Sequence, residues 1–217
     1  MAEAVIFDMD GVLVNSEPYH FKVEKLILKK MGITITDEEI REFVGLAMDK
    51  MWGRLKERYS LGKSISALVE EDTRFRTDYF KSIGPVPPIE GVKHLAESIR
   101  SAGLKTAVAS SSHQDLVRVI LDASGLAEFF PVILSGFQVK HGKPDPDIFL
   151  ETARLIDTTP ERCVVIEDSY NGVRAAKAAG MICIGFSNPF SGNQDLSGAD
   201  RIISSFSEIE TDWLRGI

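Results

Sequence analysis

Five short, largely apolar runs constrain this chain more than any other feature: residues 4–7, 105–109, 132–134, 163–166 and 182–186. They are too short for buried helices and show no polar alternation, which marks strands buried on both faces. Helix-length stretches separate the last four. Residues 91–102 place Val92, Leu95, Ala96 and Ile99 on one face and end before Gly103. Residues 114–123 end before Gly125, and 172–179 before Gly180. Lys143-Pro144-Asp145-Pro146 opens a further helix to about Ile156, and residues 201–203 add a last short strand. Strand and helix in alternation predict a parallel sheet covered on both faces. The expected fold is α/β, a doubly wound parallel sheet with a Rossmann-like core.

Residues 16–83 break that rhythm, because no strand-like run occurs there. Ser16 is the expected N-cap of a first helix with Pro18 in its first turn, and Gly32 is placed to end it after Met31. Thr36-Asp37-Glu38-Glu39 has capping-box spacing, so a second helix starts there and stops near Gly45. Third and fourth helices cover residues 48–59 and 66–82, with Trp52, Phe75 and Phe80 read as their packing. Gly84-Pro85-Val86-Pro87-Pro88 is a turn-rich linker. The expected domains are therefore an α/β catalytic core, residues 1–15 and 84–217, and an inserted all-helical cap, residues 16–83. The crossings near residues 13–16 and 84–88 would form a double hinge about which the cap moves as a body.

A formal net charge of −7 argues against nucleic acid or anionic membrane as a partner. No run approaches the ~20 apolar residues of a membrane span. The two cysteines, Cys163 and Cys183, sit in apolar runs and read as buried free thiols rather than a disulfide or zinc framework. A monomer in a reducing, cytoplasmic setting is expected.

Parallel doubly wound sheets carry their sites beyond the carboxyl ends of the strands. The residues there are chemically related. Asp8 and Asp10 close the first run, one residue apart, so in an extended segment both face one way while Met9 faces the other. Gly11 permits a sharp turn just past them. Ser110 ends the second run, Glu167 and Asp168 follow the fourth, and Lys143 stands at the start of the preceding helix. This set suits phosphoryl transfer, in which a carboxylate attacks phosphorus to give an acyl phosphate. Charge is the obstacle: one like-charged pair ~4 Å apart costs about 4 kcal/mol at an effective dielectric near 20. A divalent cation reverses the sign, and oxygen ligands select a hard ion, Mg²⁺. Lys143 adds positive charge, Ser110 a hydroxyl donor, and Asp10 can carry the proton of the bridging oxygen. Each has a plainer alternative: Ser110 as a helix cap, Lys143 as a solvated loop residue, Glu167 and Asp168 as helix-dipole partners.

Asp8-Met9-Asp10-Gly11-Val12, Ser110, Lys143-Pro144 and Glu167-Asp168 together resemble, in order and spacing, the four motifs of the haloacid dehalogenase-like hydrolase superfamily. The likeness is to its branch of β-phosphoglucomutase-like proteins and sugar-phosphate phosphatases, with a helical cap after the first motif. It implies Asp8 as nucleophile and Asp10 as general acid and base. It implies Mg²⁺ at Asp8, the Asp10 main-chain carbonyl and Asp168, with Glu167 in support, and Ser110, Ser111 and Lys143 around the phosphoryl group. Ser16 and His20 resemble the mutase's hinge hydroxyl and cap histidine. The mutase's cap arginine, which grips a second phosphate, has no match in Gly45-Leu46-Ala47-Met48-Asp49, although Arg54, Arg74 and Arg76 lie further along. A phosphatase of small phosphorylated metabolites is therefore expected, ahead of a β-phosphoglucomutase. A phospho-receiver signalling module is the third alternative. Such modules share the chemistry but are about half this length, with the acceptor on a middle strand.

Overall fold

A computed structural model describes residues 1–43, 46 and 48–217. The chain divides into two compact units, residues 1–15 with 85–217, and residues 16–84. The first holds a six-stranded sheet: β1 (Ala4–Phe7), β2 (Lys105–Ser110), β3 (Val132–Ser135), β4 (Cys163–Glu167), β5 (Ile182–Phe186) and β6 (Arg201–Ile203). The order is β3-β2-β1-β4-β5-β6. Every pairing is parallel, with Phe7 between Val108 and Ile166. The chain moves outward from β1 to β3 and then crosses to β4, so the direction of winding reverses beside β1. The carboxyl ends of β1, β2 and β4 thus meet at a topological switch point. All four residues of β1 are wholly buried, which explains the missing alternation in that run. β2 and β4 each extend one residue beyond their apolar runs, so Ser110 pairs with Ser135 and Glu167 with Gly185.

The helical unit comprises α1 (Glu17–Lys30), α2 (Asp37–Arg41), α3 (Met48–Tyr59) and α4 (Ile65–Ser82). Ser16 is not the expected side-chain cap: its backbone is already helical, and its side chain accepts no capping hydrogen bond from α1. Gly32 ends the first helix at φ +78°, with Ile33 N donating to the Leu28 carbonyl at 2.9 Å. The capping box forms, Glu39 N donating to Thr36 Oγ1 at 3.2 Å and Thr36 N to Glu39 Oε2 at 2.8 Å. α2 ends at Arg41, and the stop expected near Gly45 lies outside the described residues. α4 begins one residue earlier than expected because Ser64 caps it through Ala67 N at 3.2 Å. Val23, Leu28, Trp52, Leu55 and Leu68 pack together as the unit's core. Phe80 is buried, and Phe75 is half-buried with the Lys30 ammonium 4.0 Å over its ring. A polar knot lies inside this unit. Asp72 accepts from Trp52 Nε1 at 2.8 Å and Arg76 Nε at 2.6 Å, and Arg76 Nη2 donates to Glu24 at 3.0 Å.

Helices α5 (Val92–Ser101), α6 (Gln114–Ser124), α7 (Asp147–Leu155), α8 (Tyr170–Ala178) and α9 (Thr211–Gly216) belong to the sheet-bearing unit. α7 starts at Asp147, not at the Lys143-Pro144 turn. Pro144 and Pro146 bias the residues before them away from helix, leaving Lys143 in the loop. α8 starts at Tyr170 because Ser169 caps it through Gly172 N at 3.0 Å. Ile148 and Phe149 of α7 pack with Ala4, Ile6, Ala107, Val165 and Cys183 of the sheet. Both cysteines are buried free thiols, and burial pushes Cys163 up to about 12. Among the described residues no helix is long and apolar enough to cross a membrane.

Candidate active site

Asp8 follows the last residue of β1, and its N–H donates to the Ile166 carbonyl of β4 at 3.0 Å. Its buried carboxylate accepts from Lys143 Nζ at 2.6 Å through Oδ1. The same ammonium donates to Glu167 Oε1 at 2.7 Å and to the Ala109 carbonyl at 3.0 Å. Its three N–H groups therefore have three acceptors, one each from β1's end, β2 and β4. Glu167 Oε2 accepts from Ser169 N at 2.8 Å and Ser169 Oγ at 2.9 Å. Both Glu167 oxygens thus accept hydrogen bonds, and through Oε1 Glu167 shares in holding Lys143. Gly172 makes room for it, since a Cβ there would land on the Glu167 carboxylate. Lys143 is buried, so it is not a solvated loop residue, and Glu167 lies against the first turn of α8, where Ser169 is the cap.

Asp10 has different partners. Its Oδ2 accepts from Ser112 Oγ at 2.9 Å, with Ser110 Oγ at 3.5 Å. Ser110 is wholly buried and accepts from Ser112 N at 3.1 Å, while Ser111 beside it is exposed. Met9, between the two acids, is buried in the core. Asp168 is also buried, and Ser191 Oγ donates to its Oδ2. Ser112, Ser191 and Asn188 were not singled out from the sequence. Ser191 and Asn188 lie beyond the last motif, and only the strand-end rule applied to β5 could have pointed to them. Ser16 and His20 belong to the helical unit. Ser16 is buried, and His20 Nδ1 lies 3.0 Å from Arg76 Nη1.

Burial raises Asp8 to about 7, with the charges of Glu167 and Asp10 adding to it and Lys143 opposing. Burial likewise holds Asp168 well above the usual carboxylate range, helped by Glu167 and Asp8. Burial works against the charge of Lys143, yet Asp8 and Glu167 keep it above an ordinary lysine. The switch point is therefore short of positive charge, and its donors are oxygens, which is what a hard divalent cation requires. Among the described residues no three Asp, Glu, His or Cys side chains form a cage by themselves. Such an ion would complete its shell with a carbonyl, water and substrate oxygens, the habit of Mg²⁺.

Residues 5–186 match the profile of the haloacid dehalogenase-like hydrolases. The chain belongs to that family. The phospho-receiver alternative is accordingly dropped. Among solved structures, a CbbY variant from Rhodobacter sphaeroides in complex with xylulose-(1,5)bisphosphate superposes with a TM-score of 0.84 at 30% identity, over 96% of each chain. The phosphorylated carbohydrates phosphatase of Thermotoga maritima is 34% identical, covering 82% of each chain. The β-phosphoglucomutase of Bacillus subtilis is 28% identical over 98% of this hydrolase and 93% of its own length.

Proposed function

We propose that this hydrolase is a Mg²⁺-dependent phosphatase of small phosphorylated metabolites, sugar phosphates foremost, acting through an aspartyl-phosphate on Asp8. One observation carries it: Lys143 ties Asp8 to Glu167 while Asp10 is held separately by Ser112. Two carboxylates of one turn thereby have two environments, the arrangement that lets one act as nucleophile and the other as proton carrier. Mg²⁺, held by the Asp8 carboxylate, the Asp10 main-chain carbonyl and Asp168, would offset the repulsion between phosphate and acids. An Asp8 oxygen attacks phosphorus, the bond from phosphorus to the substrate's bridging oxygen breaks, and Asp10 gives that oxygen its proton. Water then attacks the aspartyl-phosphate, Asp10 takes the water's proton, and Asp8 is restored as phosphate leaves. Ser110 and Ser111 hold the phosphoryl oxygens through both steps, with Lys143 turning one N–H from its present acceptors toward them.

In the same proposal residues 16–83 are the cap that selects the leaving group, with Ser16 and His20 as its contacts, in a monomeric cytoplasmic enzyme. Hydrolysis is favoured over mutase chemistry because a mutase must grip a second phosphate. Arg76, the buried arginine of the cap, is held by Asp72 and Glu24, and Met48 has no charge to offer. A charged clamp contact is worth roughly 1.5–3 kcal/mol, about ten- to a hundredfold.

The test is a set of phosphorylated metabolites with Mg²⁺ or with chelator. It includes β-glucose 1-phosphate with catalytic glucose 1,6-bisphosphate. Release of free phosphate only with Mg²⁺ is expected. Conversion to glucose 6-phosphate with negligible phosphate release would establish the mutase instead.

A further inference from the structure

Asn188 and Ser191 lie on the loop after β5, outside the four motifs, and each is 7% exposed. Asn188 is pinned on every side. Its Nδ2 donates to the Gly11 carbonyl and to Asn15 Oδ1, both at 2.8 Å, and its Oδ1 accepts from Phe190 N at 2.9 Å. Two amide hydrogens meet two acceptors, which also settles which end of the amide is nitrogen. The peptide just before that gripped carbonyl joins Asp10 to Gly11. Its N–H donates to the Val14 carbonyl at 2.8 Å. In a trans peptide the C=O points opposite to the N–H, so the direction of the Asp10 carbonyl is set as well. Gly11 sits at φ +83°, and a Cβ on it would strike both Asp168 Oδ2 and Ser191 Oγ. Gly11, Asp168 and Ser191 are thus packed directly together. Ser191 Oγ donates to Asp168 Oδ2, and Ser191 N donates to the Asn188 carbonyl at 3.2 Å. Gln194 joins the loop to the start of α8, accepting from Tyr170 N and donating to the Ser191 carbonyl, both at 3.1 Å.

We infer that this loop is a positioning element for the cation site: Ser191 orients the Asp168 carboxylate and Asn188 locks the Asp10–Gly11 turn. The inference rests on the Mg²⁺ site proposed above. Ser191 occupies one lone-pair direction of Asp168 and so fixes how the carboxylate faces an ion. Asn188 holds the Gly11 carbonyl, one peptide along from the Asp10 carbonyl that would share that ion, and so steadies the turn that carries it. Without them both ligands have to be ordered when the ion binds, and affinity falls. Partners of this kind typically change metal affinity by roughly 10–100-fold.

The measurement is titration calorimetry of Mg²⁺ into the wild type, Ser191→Ala and Ser191→Thr above pH 7, with metal-free melting curves as the fold control. Ser191→Ala is expected to raise the Mg²⁺ dissociation constant by roughly tenfold or more. Ser191→Thr, which keeps the hydroxyl, is expected to restore it. The Mg²⁺ concentration for half-maximal activity should rise in step, while kcat at saturating Mg²⁺ recovers. Asn188→Ala is expected to weaken Mg²⁺ binding as well, through the other ligand. Equal Mg²⁺ affinity in the wild type and Ser191→Ala overturns the positioning role and leaves the proposed phosphatase untouched. A wild type that takes up no Mg²⁺ overturns the metal site itself.

Discussion

At the scale of single residues, Asp8 carries a tension that pH can read. Burial raises it to about 7, against about 3.9 for an aspartate in water. A raised carboxylate adds stability below its unfolded value, and that stability is lost as pH rises through its folded value. In metal-free protein, Asp8 therefore weakens the fold progressively from about pH 4 to about pH 7. Asp8→Asn removes that charge with nearly the same shape, and an amide cannot attack phosphorus. Turnover is expected to vanish. The metal-free variant is expected to gain on the wild type in melting temperature between those pH values, with a constant gap above. Parallel melting curves across that range would show that Lys143 fully offsets the burial of Asp8.

At the scale of elements, polar groups inside the helical unit matter as much as its apolar packing. Asp72 is wholly buried and is shared by Trp52 and Arg76. Removing one member of a buried pair leaves the other charge unsatisfied and costs about 3–5 kcal/mol. Asp72→Ala is expected to lose about that much in denaturant unfolding, whereas an exposed acid such as Glu70 should cost little when replaced. A loss below ~1 kcal/mol at Asp72 would mean that Glu24 alone satisfies Arg76. Element boundaries were legible where the signal is local. The capping box at Thr36 and the glycine after α1 act through their own neighbours. The signal failed where a second local rule competes. Pro144 and Pro146 delay α7 to Asp147, and Ser16 is already helical, so its hydroxyl caps nothing in α1. The short α9 carried no pattern strong enough to mark it.

At the scale of the whole molecule, the sheet and the chemistry at its strand ends were legible together, because a parallel sheet buried on both faces reads as apolar runs and places its site where they stop. Asp8, Asp10, Ser110, Lys143, Glu167 and Asp168 gather at the switch beside β1 for that reason. Ser112, Asn188 and Ser191 were not legible, because a serine or asparagine in a loop gains its role only from what the fold brings against it. The Glu167 carboxylate illustrates the same limit, since its burial against Gly172 and its double engagement exist only in three dimensions.

What most directly decides the mechanism is rapid acid quench of a single turnover with phosphoryl-labelled substrate and Mg²⁺, followed by peptide mapping. Label is expected to appear transiently on Asp8, to be released by hydroxylamine as an acyl phosphate, and to be absent from Asp8→Asn. Phosphate release with no label on the protein at any time, and inversion at phosphorus, would contradict the covalent route and assign the attack to water.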